Sequence, residues 1–281
     1  MPRLAEIEAR ITSIAGLLDV VGAMRSLAGM RLQEAQHMLP AARRYAKDVS
    51  AAISSALRMA RDPPVAGYGA TAERRGIVVY ASEQGFVGAL NGRLLATARA
   101  AISPRDSLFL LGTRAAAIAL EHRIQAAWTA PMATRPTNVP ETVRLLTNEL
   151  YRQIAREELT GIDLIYTARS PEGTSLPRKR TLIPLDLSSL ATPGSGPPPL
   201  SNLAPPKLLE RLTAEYVFAL LAEAALESLA SENGARFAAM TAARENVSRK
   251  LEDLHATARE IRQSEITTEL LDIVTGAQAL R

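Results

Sequence analysis

Both ends of the chain repeat apolar residues in alternating steps of three and four. That pattern constrains the fold more than any other feature. From Leu4 it passes through Ile7, Ile11, Ile14, Leu18, Val21, Arg25, Ala28, Leu32, Ala35 and Leu39. Ala42, Ala46, Val49, Ile53, Ala56 and Ala60 continue it. Such a heptad seam predicts a helix of roughly 85 Å, at 1.5 Å rise per residue. Pro40 interrupts the seam and marks a place for a kink, and Pro63-Pro64 ends it. The spacing returns from Leu209 through Leu212, Tyr216, Ala219, Glu223, Leu226, Ala230, Asn233, Phe237, Met240, Arg244, Val247, Leu251, Leu254, Ala258 and Ile261. It slips by one residue and resumes at Ile266, Leu270, Ile273, Ala277 and Leu280. The second helix would run roughly 110 Å. Neither helix can bury its seam alone, so each needs the other or a partner.

Between the seams the period changes. Gly76 to Ser82 reads as a buried strand, followed by a glycine-bearing turn and a helix from Ala89 to Ile102. A strand at Ser107–Gly112, a helix at Arg114–His122 and a weaker strand at Ile124–Trp128 follow. A helix at Pro140–Glu158 and strands at Gly161–Ala168 and Arg178–Asp186 complete the region, the last strand antiparallel to its neighbour. Strands alternating with helices predict a mainly parallel sheet covered on its faces. The expected fold class is therefore α/β with long terminal helices. An inserted Rossmann-like α/β domain separates two helices that must run antiparallel as a coiled coil. The expected boundaries are 1–62 for the first helix, 68–190 for the α/β domain, 191–206 for a linker rich in Pro, Gly and Ser, and 207–281 for the last helix.

Chemistry is largely missing. Without cysteine there is no thiol nucleophile, disulfide or cysteine-bound zinc. His37, His122 and His255 are scattered, without the i, i+4 spacing of a metal site. Ser82 and Ser264 have no neighbouring base, and the adjacent Glu157 and Glu158 diverge by about 100° on a helix. The loop Ser82–Gly92 occupies the first strand-to-helix turn, where nucleotide folds hold phosphate. It has neither the dinucleotide nor the phosphate-loop spacing, so it reads as a tight packing turn. We expect no catalytic residue, no cofactor and no metal.

The net charge is +4 and aromatics make up 4% of residues. Basic residues lie among acids, with the densest run at Arg178-Lys179-Arg180, so nucleic-acid binding is not expected. The most apolar stretch, Val217–Leu226, contains Glu223, so no membrane-spanning helix is expected either. Arg25, Glu223, Asn233 and Arg244 fall on the seams. They either set register and snorkel, or face a surrounding partner.

Leu229 to Met240, LASENGARFAAM, resembles the A-S-E-x-x-A-R-[MF]-x-A-M signature of F-type ATP synthase gamma subunits. Arg262 to Ala277, RQSEITTELLDIVTGA, is similar to that family's R-Q-x-x-I-T-x-E ending. Arg10–Ile14, Ala23-Met24 with Ala28, and the loop Ser82–Asn91 resemble further family segments in family order. Asp19 and Gly22 replace basic positions of the family pattern, Val87 stands at its frequent cysteine, and Arg259 at a frequent asparagine. These departures suggest a divergent branch, with the alternative F-type ATPases of some bacteria as one candidate.

The resemblance implies a non-catalytic central-stalk rotor, coupling ion flow through a membrane c-ring to ATP synthesis or hydrolysis. Its implied partners are the alpha and beta subunits, the epsilon subunit and the c-ring. The implied location is peripheral, on the cytoplasmic side of the cell inner membrane. By motif position, Met24, Arg236, Gln263, Thr267 and Glu269 are the expected rotor–stator contacts. Competing readings are a coiled-coil scaffold or a vacuolar or archaeal rotary ATPase stalk subunit. The latter would not be expected to carry the inserted domain or the A-S-E signature.

Overall fold

The computed structural model describes residues 3–59, 74–170, 173–185 and 200–279. The expected helix stop at Pro63-Pro64 and the expected linker residues 191–199 lie outside them. Helix α1 spans Leu4–Met59 and the last helix, α5, spans Pro205–Ala279. Pro40 does not end or split α1, although its missing N–H leaves the preceding turn one bond short. The chain divides into two compact units, residues 29–236 and residues 1–28 with 237–281.

In the unit of residues 29–236, the strands are β1 (Arg75–Tyr80), β2 (Ser107–Leu111), β3 (Trp128–Ala130), β4 (Gly161–Arg169) and β5 (Ser175–Ile183). They form one sheet in the order β3-β2-β1-β4-β5. All neighbours are parallel except β4 and β5. Helices α2 (Leu90–Ala101), α3 (Thr113–Glu121) and α4 (Val139–Ala155) make the connections. Alternation assigns the two faces. Ile77, Val79, Leu108, Leu110 and Ile165 pack under α2 and α3. Val78, Tyr80, Phe109, Leu111, Ile162 and Leu164 join Ile53 of α1, Leu146 of α4 and Leu221 of α5 on the other. A strand buried on both faces must be apolar at every position, which explains the continuous run Ile77–Tyr80.

Two strand expectations are corrected. The third strand begins at Trp128 rather than ending there, because Trp128 pairs with Phe109 while Ile124 packs beneath α3's side of the sheet. The fifth starts at Ser175, three residues early, and includes Pro177. An edge strand tolerates that proline because one row of its backbone groups has no ladder to complete.

In this unit α1 and α5 run antiparallel. Tyr45 meets Glu215, and Arg43 reaches Glu223 at 3.3 Å and also binds Glu227. Arg180 on β5 also approaches Glu223, at 3.6 Å. Glu223 is thus a seam acid held by two internal cations. On β4, Asp163 is 2% exposed and accepts from Arg75 at 2.8 Å and Thr181 at 2.8 Å, with Lys179 at 2.9 Å. Burial pushes its carboxyl up, but the bonds from Arg75, Lys179 and Thr181 outweigh that and hold it below the ordinary range.

The unit of residues 1–28 with 237–281 is a two-helix seam. Ile7, Leu254 and Ala258 are its buried centre, flanked by Leu4, Ile11, Ile14 and Ile261. The helices run antiparallel here, with Arg262 donating to Glu8 at 2.8 Å at one end and Arg25 beside Phe237 at the other. Arg25 lies 5.6 Å from the Phe237 ring centroid, so that seam cation is met by an aromatic face.

Candidate functional site

Two regions bear on function, and they use their side chains in opposite ways. The first is the loop after β1. Asn91, buried in the first turn of α2, donates to Ser82 Oγ at 2.7 Å and accepts from the Ser82 amide at 3.1 Å. The Glu83 carboxylate accepts from the Thr113 amide at 2.9 Å, the Thr113 hydroxyl at 2.7 Å and the Met132 amide at 2.8 Å. Gly112 enters α3 at φ 120, where a Cβ would stand 2.6 Å from the Ser82 carbonyl, so glycine is required there. The loop is thereby tied to α2, to the start of α3 and to the residues following β3.

Helix α5 grips the same loop from the other side. Glu232 accepts from the Glu83 and Gln84 amides, both at 3.3 Å, and from Arg236 at 2.6 Å. Arg236 also donates to the Gly85 carbonyl and to Asn233 Oδ1, both at 3.1 Å. Asn233 donates back to the Leu229 carbonyl at 2.8 Å. Glu232 and Arg236 are 4% and 5% exposed. Burial raises the Glu232 carboxyl above its usual range, opposed by Arg236 and the two loop amides.

Arg236 was expected at a rotor–stator contact. In the chain it is instead buried, with Nε, Nη1 and Nη2 all donating to internal acceptors. Asn233 likewise has internal partners, which leaves Arg244 as the exposed polar residue of the four on the seams. Glu232, Glu83, Asn91 and Ser82 were not expected as site residues. The signal available for Glu232 was its place within the A-S-E signature.

The second region lies in the unit of residues 1–28 with 237–281. Residues 262–273 of α5 are exposed at every position. They include Ile266, Leu270, Leu271 and Ile273, 52–68% exposed. Gln263 and Thr267 share a face, with Thr267 Oγ1 donating to the Gln263 carbonyl at 2.8 Å. Glu269, about 200° farther round the helix, has no ion pair among the described residues. Contacts to all three would therefore require a partner on more than one side.

Met24 is half-buried on α1, near the exposed Leu17, Val20 and Leu27. An 18-residue window of α1 reaches mean hydropathy 1.4 and is 11% buried. By length and composition alone this helix is long and apolar enough to cross a membrane, a property that core helices of soluble proteins share. No group of His, Cys, Asp and Glu able to hold a metal occurs among the described residues.

The comparisons fit this architecture. The ATP synthase family model matches residues 3–280. The ATP synthase gamma chain of Heliobacterium modesticaldum is 28% identical over 100% of both chains. That of Methylibium petroleiphilum is 29% identical over 98% of both. Among solved structures, a chain of the Euglena gracilis mitochondrial ATP synthase superposes with TM-score 0.65 at 13% identity, covering 99% of this chain and 94% of that one. A chain from the central stalk and c-ring of the Tetrahymena thermophila enzyme gives 0.56 at 15%, covering 80% and 99%. At such identities these two likenesses are of fold. With its sheet, its paired terminal helices and nearly its full length matched, the chain belongs to the ATP synthase family, as one of its F-type gamma chains.

Proposed function

We propose that the chain turns as the central rotor of an F-type ATP synthase, with α5's exposed end and the apolar face of α1 held by a ring of alpha and beta subunits. The observation that carries this reading is the stretch 262–273, where apolar residues lie bare on a helix that elsewhere is packed. Exposed apolar surface of that kind marks a protein interface. The apolar window of α1 is read the same way, as facing protein rather than lipid, because Asp19 and Arg25 lie within the same stretch.

The mechanism follows from asymmetry. A shaft with different side chains on each face meets the surrounding beta subunits unequally, favouring a different conformation in each at any instant. Turning the shaft permutes those conformations, so ion flow in the membrane drives release of ATP at distant sites. The chain contributes no reacting group; it supplies stiffness and asymmetry.

On this reading residues 1–62 and 207–281 act as the shaft. The α/β region, residues 68–190, binds the c-ring and epsilon, and residues 191–206 link it to the last helix. The complex is peripheral on the cytoplasmic side of the cell inner membrane. Met24, Gln263, Thr267 and Glu269 are the direct rotor–stator contacts, whereas Arg236 acts from inside the chain. Purification of the tagged chain from its native membrane tests the assignment. Co-isolation of alpha and beta subunits is expected, and recovery of a homodimer without them would overturn it.

A further inference from the structure

The turn after the first strand of a doubly wound sheet is where backbone amides commonly hold an anion. Here the amides of Glu83 and Gln84 do hold one, and it belongs to the chain itself: the carboxylate of Glu232, 149 residues away. We propose that Glu232 is the resident anion of this loop and that, balanced by Arg236, it forms the joint through which torque passes between the sheet and helix α5. The proposal rests on the rotor reading above and adds the place where load is carried.

The loop is gripped through both polarities. Its amides bind the carboxylate, and its Gly85 carbonyl binds the guanidinium. Both gripping side chains are almost fully buried, so water competes weakly for these bonds. Behind the loop, Asn91, Thr113 and Met132 carry the bonds on into α2, α3 and the residues following β3. Other polar ties between α5 and the sheet among the described residues are weaker. The Thr167 amide donates to Ser228 at 3.3 Å, Ser231 to the Thr167 carbonyl at 3.0 Å and Ser228 to the Tyr80 carbonyl at 3.5 Å. The ion pair of Arg180 with Glu223 is long, at 3.6 Å, and its cation is exposed. Apolar packing around them is non-directional and resists separation more than sliding. A rotor loads this interface sideways. Directional, charge-assisted bonds to backbone are what resist that load.

Glu232 and Arg236 are positioning residues, and vacating one of them has a distinctive consequence. Glu232→Ala leaves two amides and a guanidinium facing a space the size of a small carboxylate. In the reconstituted complete complex, Glu232→Ala should keep ATP hydrolysis while ATP-driven ion pumping falls at least about tenfold, as expected for losing charge-assisted bonds. Formate should restore part of that pumping in Glu232→Ala, and should leave wild type and Arg236→Ala unchanged.

Amide hydrogen exchange on the purified chain supplies an independent readout if the variant assembles poorly. The Glu83 and Gln84 amides should exchange faster in Glu232→Ala and be protected again by formate. Wild-type pumping by Glu232→Ala would overturn the joint. Unaltered Glu83 and Gln84 exchange, or a defect that formate never relieves, would overturn the resident anion. A wild-type complex that hydrolyses ATP without pumping would instead defeat the rotor reading.

Discussion

Helix α5 has two stretches that invert the usual rule in opposite senses. From Ala224 to Asn233 every residue is buried, including Glu227, Ser228, Ser231, Glu232 and Asn233. From Arg262 to Ile273 every residue is exposed, including four large apolar ones. The first stretch has its polar groups inside because nearly all are matched by partners. Glu227 binds Arg43, Ser228 lies at the Thr167 amide, Ser231 reaches the Thr167 carbonyl, and Glu232 binds the loop. The second has apolar groups outside because no other described residue covers them. On the proposed rotor reading, buried polarity is the internal joint and bare apolarity the external bearing, within one helix whose seam period barely changes.

The comparison predicts a gradient of effects. Arg236→Ala should be the most damaging, since it leaves the Glu232 carboxylate buried without its cation. A loss of about 3–5 kcal/mol is expected in urea unfolding of the chain. A loss near zero would mean the buried stretch is not held by its polar bonds.

Asp163→Ala extends the test to another buried acid in the same unit, with about 2–3 kcal/mol expected because Arg75 and Lys179 keep some access to water. Its pH dependence is also fixed in sign. The folded carboxyl is held below its ordinary value, so its contribution is present above an unfolded pKa of about 4 and is lost as pH falls through the lower folded value. Urea midpoints measured down that acid window should drop more for wild type than for Asp163→Asn.

Leu254→Ala, in the two-helix unit, should cost about 2 kcal/mol. That is the low end for a buried leucine, because a seam between two helices leaves part of the cavity open to water. The smallest effects belong to the bare end. Gln263→Ala, Thr267→Ala and Glu269→Ala should each change the stability of the purified chain by less than about 0.5 kcal/mol, while lowering coupled pumping in the assembled complex. A large loss of chain stability from any of them would contradict the bearing.

The elements that follow a local period were legible in the sequence. Ala28, Ala35, Val49, Ile53 and Ala56 lie buried where the heptads put them, and the run Ile77–Tyr80 is the central strand expected. The errors came where tertiary pairing overrides local pattern. The position of β3 is set by Phe109 opposite Trp128, and β5 extends through Pro177 because, among the described residues, no strand pairs with its outer edge. The joint was the least legible part. Glu83 and Glu232 are 149 residues apart, and no spacing rule links an amide in a turn to a carboxylate on a distant helix. Arg236 was picked out by its motif, yet its burial could be seen only once the loop was placed against it.

Rotation itself gives the most direct test of the central claim. The chain contains no cysteine, so Arg99→Cys, on the exposed face of α2, places a single attachment point for a bead. With the alpha and beta subunits fixed to a surface, adding ATP should turn the bead in one direction with threefold pauses. Sustained ATP hydrolysis beneath a stationary bead would contradict the account.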